Sequence, residues 1–283
     1  MNGVSLVLEG GGMRAVYTAG VLEALMKHEV EIPHVIGVSA GACNGSSYVS
    51  KQIDRNRKVN IDYIDRPEYL SFKNLVKTKS IFGWDFIFNT LPNELEPFDF
   101  DTFKDSPQTF TIVTTKLDTG EPYYFDKHLP KEDLLTVLKA SSSIPMLAPP
   151  VTYKNDVFFD GGVADPIPIK RSIEEGHQKH VIVLTQNKGY QKTPMKFTRF
   201  AKWQFRNNPA FLQTMLTRYQ RYNQTLKRIE EMEASGEAFV IRPKMPVRVS
   251  RLEKNKERLA ALYNEGAEDM LSEMNKLERW LAK

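Results

Sequence analysis

The chain has 283 residues, 41% of them apolar and 26% charged, with 39 Lys and Arg against 35 Asp and Glu for a formal net charge of +4. An aromatic share of 11% supplies enough buriable area to offset ordering entropy, which excludes a chain disordered throughout. No window approaches the ~18 consecutive apolar residues of a membrane-spanning helix. The single cysteine, Cys43, excludes an intramolecular disulfide and fits a reducing, cytoplasmic setting. The opening MNGVSLVL has no basic stretch and its apolar run stops at Glu9, so no secretory signal is expected.

Val4 to Glu9 reads as a buried strand, short and β-branched, broken by Gly10-Gly11-Gly12. Ala15 to His28 carries apolar residues at helical spacing, at Val16, Ala19, Leu22 and Met26. His34 to Val38 is a second strand running into Gly37-Val38-Ser39-Ala40-Gly41, and a helix is expected from Ala40 to about Lys51. Strand, helix, strand, helix at this spacing predicts a parallel α/β sheet. Residues 52–105, punctuated by Pro, Asn and charge, read as irregular helices capping something. Hairpins are expected at Thr109–Phe125, turning at Asp118-Thr119-Gly120, and at Val151–Asp160, turning at Lys154-Asn155. Between them Leu134–Ser141 forms a helix that ends before Pro145. His180–Gln186 and Phe239–Arg242 complete the strands. Ser250 with Glu253 three residues on predicts a capping box opening a long C-terminal helix.

Charge is spread unevenly. Residues 188–258 hold 17 Lys and Arg against 6 Asp and Glu, whereas the rest of the chain holds 22 against 29. Within 188–228 ten basic residues and no acidic ones interleave with Tyr190, Phe197, Phe200, Trp203, Phe205, Phe211, Tyr219 and Tyr222. That mixture suits an interfacial segment on anionic lipid, single-stranded nucleic acid, or a solvated helical face whose rings pack inward. The chain therefore divides into an α/β segment, 1–187, and a basic helical region, 188–283, packed on it.

Ser39 occupies G-x-S-x-G at a strand-to-helix junction, where a sharp turn exposes a nucleophilic hydroxyl. Gly10, Gly11 and Gly12 offer consecutive amides free of Cβ, able to receive an oxyanion or a phosphate. The same run, GGGMRA, also matches a dinucleotide fingerprint. That reading requires an acid closing the second strand, and here the strand closes on Gly37-Val38-Ser39. Asp160, ahead of Gly161-Gly162, could serve Ser39 as a base without histidine. A histidine-assisted alternative would recruit His177 or His180. His28, His34 and His128 have no motif context, and Cys43 reads as a small buried residue. No Cys/His cluster has metal-ligand spacing, and no cofactor is expected.

The ordered motifs GGGMR, GVSAG, ASSSIP (Ala140–Pro145) and DGG resemble those of the patatin-like phospholipase family, in particular its small bacterial esterase members. The resemblance covers residues 4–187. It implies a patatin-like three-layer α/β/α sheet, to which the residues after 187 add the helical, basic C-terminal extension read from charge and periodicity. It also implies a Ser-Asp dyad of Ser39 and Asp160, with Gly10–Gly12 as the oxyanion hole. Arg14 is assigned to holding the glycine loop; the family usually places glycine after it, and this chain has Ala15. The activity implied is hydrolysis of lipid or other acyl esters; beside such a site the basic, aromatic stretch 188–228 is expected to make peripheral contact with anionic membrane, and no nucleic-acid partner is expected. The alternatives are a patatin-fold binding protein without catalysis and a nucleotide-binding enzyme.

Overall fold

The computed structural model describes residues 3–283. Eight strands form one sheet: β1 (Val4–Leu8), β2 (His34–Val38), β3 (Thr109–Lys116), β4 (Pro122–Asp126), β5 (Val151–Tyr153), β6 (Asp156–Asp160), β7 (Lys179–Val183) and β8 (Ala238–Ile241). Their order is β5-β6-β3-β2-β1-β7-β8, with β4 also paired to β3. The run β3-β2-β1-β7-β8 is parallel, while β4, β5 and β6 join by antiparallel hairpins. Every residue of β1 is buried, as a central strand covered on both faces must be. Both expected hairpins form, and the residues at their turns, Gly120 and Lys154, have positive φ.

The helices are α1 (Val16–Lys27), α2 (Ala40–Val49), α3 (Arg55–Arg57), α4 (Phe72–Thr78), α5 (Phe100–Asp105), α6 (Lys131–Ser142), α7 (Ile169–Glu174), α8 (Thr198–Gln204), α9 (Pro209–Ser235) and α10 (Lys256–Leu281). One sheet face packs Leu6, Leu8 and Val35 against α1, α2, α6 and α10 in the largest apolar cluster. On the opposite face Val7, Ile182 and Leu184 meet Ile169 of α7 and Tyr222, Ile229 and Met232 of α9. The result is three layers, α/β/α. Residues 52–105 hold short helices joined by wide turns at Lys58–Asp62 and Phe86–Leu95, with Phe82, Trp84 and Phe88 packed as a ring cluster.

The region after residue 187 is built into this frame. β8 pairs in parallel with β7, and α10 lies against α1 at backbone contact. A Cβ on Gly20 would sit 2.0 Å from Tyr263 O, and one on Gly266 2.1 Å from Tyr17 O. Tyr17 Oη donates to Asp269 Oδ2 at 2.9 Å across the same pair. The long helix starts later than the capping box predicts. Its N-cap is Asn255, whose side chain accepts from Arg258 N at 2.8 Å. Glu253 instead accepts the amides of Lys254 and Asn255, so it orders the approach to the helix rather than its first turn.

Candidate active site

The parallel strands deliver their C-terminal ends to one rim of the sheet, where open α/β folds place their sites. β1 ends at the glycine loop, and β2 ends at Ser39. The antiparallel β6 ends at Asp160, in register with Thr114 of β3. Three segments distant in sequence therefore meet at one point.

Ser39 has φ 56° and ψ −127°, a left-handed backbone that costs a non-glycine residue of order 1–3 kcal/mol. The flanking glycines make room for it. A Cβ on Gly37 would lie 2.6 Å from Ala42 Cα, and one on Gly41 2.6 Å from Glu9 O. Both obstacles are backbone, so no side chain fits. The turn is pinned by Ser141 of α6, whose Oγ accepts from Ser39 N at 2.8 Å and donates to Val113 O at 2.6 Å. The Ala140–Pro145 motif contains Ser141, yet its position alone does not reveal that tether.

Ser39 Oγ donates to Asp160 Oδ2 at 2.7 Å, and Gly162 N donates to Asp160 Oδ1 at 2.7 Å. Asp160 is buried. Burial raises its carboxyl above the ordinary range; the bonds from Ser39 and Gly162, and the charges of Arg218 and Arg251, oppose that rise. The expected pair is thus brought into direct contact.

In the glycine loop Gly12 has φ +57°. Gly10 N donates weakly to Pro166 O at 3.4 Å, whereas the amides of Gly11 and Gly12 have no acceptor among the described residues. Arg14 Nε donates to Val249 O at 3.0 Å, and Met13 N donates to Arg251 O at 3.2 Å. The loop is therefore tied to the strap 249–251 that precedes α10. Ahead of the loop, buried Glu9 accepts from Thr185 N at 2.6 Å and from Tyr222 Oη at 2.7 Å.

The histidines lie elsewhere. His180 is in register with Ser5 on β1, and Ser5 in turn with His34 on β2. That puts it five residues, roughly 16 Å of strand, from the rim that holds Ser39. His180 Nδ1 bonds Ser5 and Ser172 hydroxyls, and burial lowers its pKa to about 4. His177 packs against His34 with ring centroids 4.2 Å apart and the planes tilted by 32°. Cys43 lies 3.6 Å from Ser142 Oγ, with its thiol pushed up to about 11 by burial. It is no thiolate. Among the described residues no group of three His, Cys, Asp or Glu could hold a metal ion.

Two cavities open on Ser39. One, of about 300 Å³, is lined by the glycine loop, Ser39, Asp160, Met195, Met215, Lys192, Arg218 and Arg251. The other is narrower and lined by Cys43, Val59, Tyr69, Phe82, Trp84 and Phe88. The basic region thus walls the site, which sequence reading did not anticipate. A signal for it exists on α9: Arg218 stands three residues after buried Met215 and four before buried Tyr222, where an apolar residue is due. Arg218 Nε donates to Gly162 O, and Arg221 donates to Val163 O and Ala164 O. The helix therefore clamps the loop behind Asp160. The rings of the basic stretch divide: Phe205, Phe211 and Tyr222 are buried, while Phe197, Phe200 and Trp203 are 71%, 49% and 63% exposed. No helix among the described residues is long and apolar enough to cross a membrane.

A family model described as patatin-like phospholipase matches residues 6–172, and a second, a domain of unknown function, matches residues 208–282. The uncharacterized protein YjjU of Escherichia coli is 31% identical over 206 residues, which cover 71% of this chain and 57% of that protein. A lysophospholipase of the yeast Meyerozyma guilliermondii is 27% identical over 69% of this chain and 13% of its own length. A probable lipid hydrolase of Invertebrate iridescent virus 6 is 26% identical, covering 62% of this chain and 65% of that protein. The chain therefore spans little more than half of the bacterial relative and a small part of the yeast one. Among solved structures, VipD from Legionella pneumophila aligns with 96% of this chain and 66% of its own at a TM-score of 0.47 and 13% identity.

Proposed function

The chain belongs to the patatin-like phospholipase family, and from that premise we propose that it is a serine acyl hydrolase of lipid esters using Ser39 and Asp160. The observation that carries this reading is the 2.7 Å hydrogen bond from Ser39 Oγ to a buried aspartate with no histidine nearby. Asp160 takes the Ser39 proton as Oγ attacks the ester carbonyl. The free amides of Gly11 and Gly12 receive the oxyanion, each such donor contributing about 10²–10³ in rate, and the N-terminus of α2 adds its dipole. Asp160 returns the proton to the leaving alcohol. A water deprotonated by Asp160 then splits the acyl-serine ester, releasing the fatty acid and restoring Ser39.

The names borne by the yeast and viral relatives support lipid as the substrate class. The proposed setting is cytoplasmic, at an anionic membrane face. Exposed Phe197, Phe200 and Trp203 beside Lys196, Arg199, Lys202 and Arg206 support that contact, since such rings settle at headgroup level while cations meet phosphates.

Hydrolysis of p-nitrophenyl esters of graded chain length tests the reading. Ser39→Ala and Asp160→Asn are each expected to lose at least about 10³ in kcat with the fold intact, and a fluorophosphonate is expected to label wild type at Ser39. Failure to label, with no turnover of any ester, would leave a patatin-fold binding protein. Retained turnover in either variant would overturn the dyad.

A further inference from the structure

Three basic side chains from the region beyond residue 187 converge on the larger cavity: Lys192 from the loop after β7, Arg218 from α9 and Arg251 from the strap before α10. Among the described residues none of them forms an ion pair with a carboxylate. The carboxylates nearest to them are already engaged: Asp160 by Ser39 and Gly162, Glu9 by Thr185 and Tyr222. The Lys192 ammonium stands over the Tyr222 ring at 5.1 Å, and the Arg251 side chain makes no hydrogen bond among the described residues. Such a cluster is unfavourable by itself, because like charges held together in a half-buried wall repel and lose hydration.

Lys192 shows the effect. Burial, then the charges of Arg218, Arg251 and Arg14, push its ammonium down to about 6, opposed by Glu9. Arg218 is pushed down to about 10, first by burial and then by Arg251, against the pull of Asp160, Tyr222 and Glu9. A multiply charged oxyanion is the ligand that would relieve this arrangement, since a phosphate accepts several charge-assisted hydrogen bonds at once. The narrower cavity on the other side of Ser39 has an apolar, aromatic wall, with Arg55, Asn44, Asn56 and Asn60 also lining it; the apolar wall suits an acyl chain. The ester carbonyl would then lie at Ser39, between an anionic end and a hydrocarbon end.

We propose that Lys192, Arg218 and Arg251 form a phosphate-binding subsite that holds the anionic headgroup of the acyl-ester substrate against the Ser39–Asp160 pair. This assigns a role to the C-terminal region, and it rests on the hydrolase reading only for the statement that the ligand is a substrate.

The test uses ligands that cannot be hydrolysed. Calorimetric binding of a short-chain 1-O-alkyl-glycerol 3-phosphate is compared with that of the matching uncharged 1-O-alkyl-glycerol, below their micellar concentrations. The phosphate form is expected to bind at least tenfold tighter. Lys192→Gln and Arg251→Gln, whose side chains make no hydrogen bond that the fold depends on, are each expected to remove most of that margin with circular dichroism unchanged. Equal affinities in wild type, or a margin untouched in both variants, would overturn the subsite. Inorganic phosphate separates the two sources of anion. Competition with the alkyl phosphate supports a site that also takes free phosphate. Phosphate binding without a margin between the alkyl ligands overturns the headgroup assignment. A margin that persists in a protein hydrolysing no ester would sink the hydrolase reading and keep the subsite; turnover without a margin would do the reverse.

Discussion

At the scale of single residues, the site depends on a strained serine and a buried acid, and both carry testable costs. Because the Asp160 carboxyl is raised by burial, the folded state holds its proton more tightly than the unfolded chain does. Stability attached to this group is thus full below the ordinary carboxylate range and falls as pH rises through the raised value. Asp160→Asn removes a charge that opposes folding at neutral pH. The variant is expected to melt above wild type at pH 8, the gap closing on acidification, while activity is lost at every pH. A thermal-melt series across pH checks this, and a variant less stable than wild type at pH 8 would contradict it. In wild type, kcat should fall on the acid side as Asp160 is protonated and can no longer accept the Ser39 proton. Ser141→Ala leaves the Ser39 amide buried without its acceptor, for a cost of about 1–3 kcal/mol. Denaturant unfolding should report that loss. Ester turnover should fall with it, because the elbow is then free to relax away from Asp160.

At the scale of elements, α1 and α10 cross at backbone contact at Gly20 and Gly266. Gly266→Ala would drive a methyl into the Tyr17 carbonyl, 2.1 Å away. Since the obstacle is backbone, the helices must separate, at about 1–3 kcal/mol or more. A chemical denaturation midpoint unchanged by this substitution would mean the helices do not meet as described. The sequence shows half of this crossing: apolar spacing marks both helices, but nothing local says which glycine meets which partner. The same contrast runs through the chain. β1, β2 and the turns after them were legible because burial, glycine punctuation and the strand-to-helix switch are all local signals. Residues 52–105 were not, because their wide turns and the stack of Phe82 on Trp84 follow from contacts distant in sequence. Ser39 stands out from its own motif, whereas Asp160, in a common Asp-Gly turn, is legible only through the order of the four motifs together. Arg218 does not stand out, since a count of positive charge cannot tell an arginine facing water from one on the buried stripe of α9, although its spacing from Met215 and Tyr222 could have.

At the scale of the whole molecule, the exposed rings around α8 and the cations between them predict salt-sensitive attachment to lipid. Co-sedimentation with phosphatidylglycerol vesicles should exceed that with phosphatidylcholine. It should weaken with salt, each cation at the surface being worth about 1 kcal/mol. Replacing Phe197, Phe200 and Trp203 together by alanine should lower partitioning about tenfold. Equal binding to both vesicles would remove the electrostatic part of this picture, and an unaffected triple variant would remove the aromatic part. The outermost position of β8 has a consequence for anyone who would isolate the family segment. Cutting the chain after residue 187 strips β8 from β7 and leaves the backbone groups of His180, Ile182 and Leu184, which alternate toward β8, unpaired along one edge, while Val181 and Val183 stay bonded to β1. An open edge of that kind is a template for pairing between molecules. The shortened protein is expected to aggregate rather than to act as a smaller hydrolase.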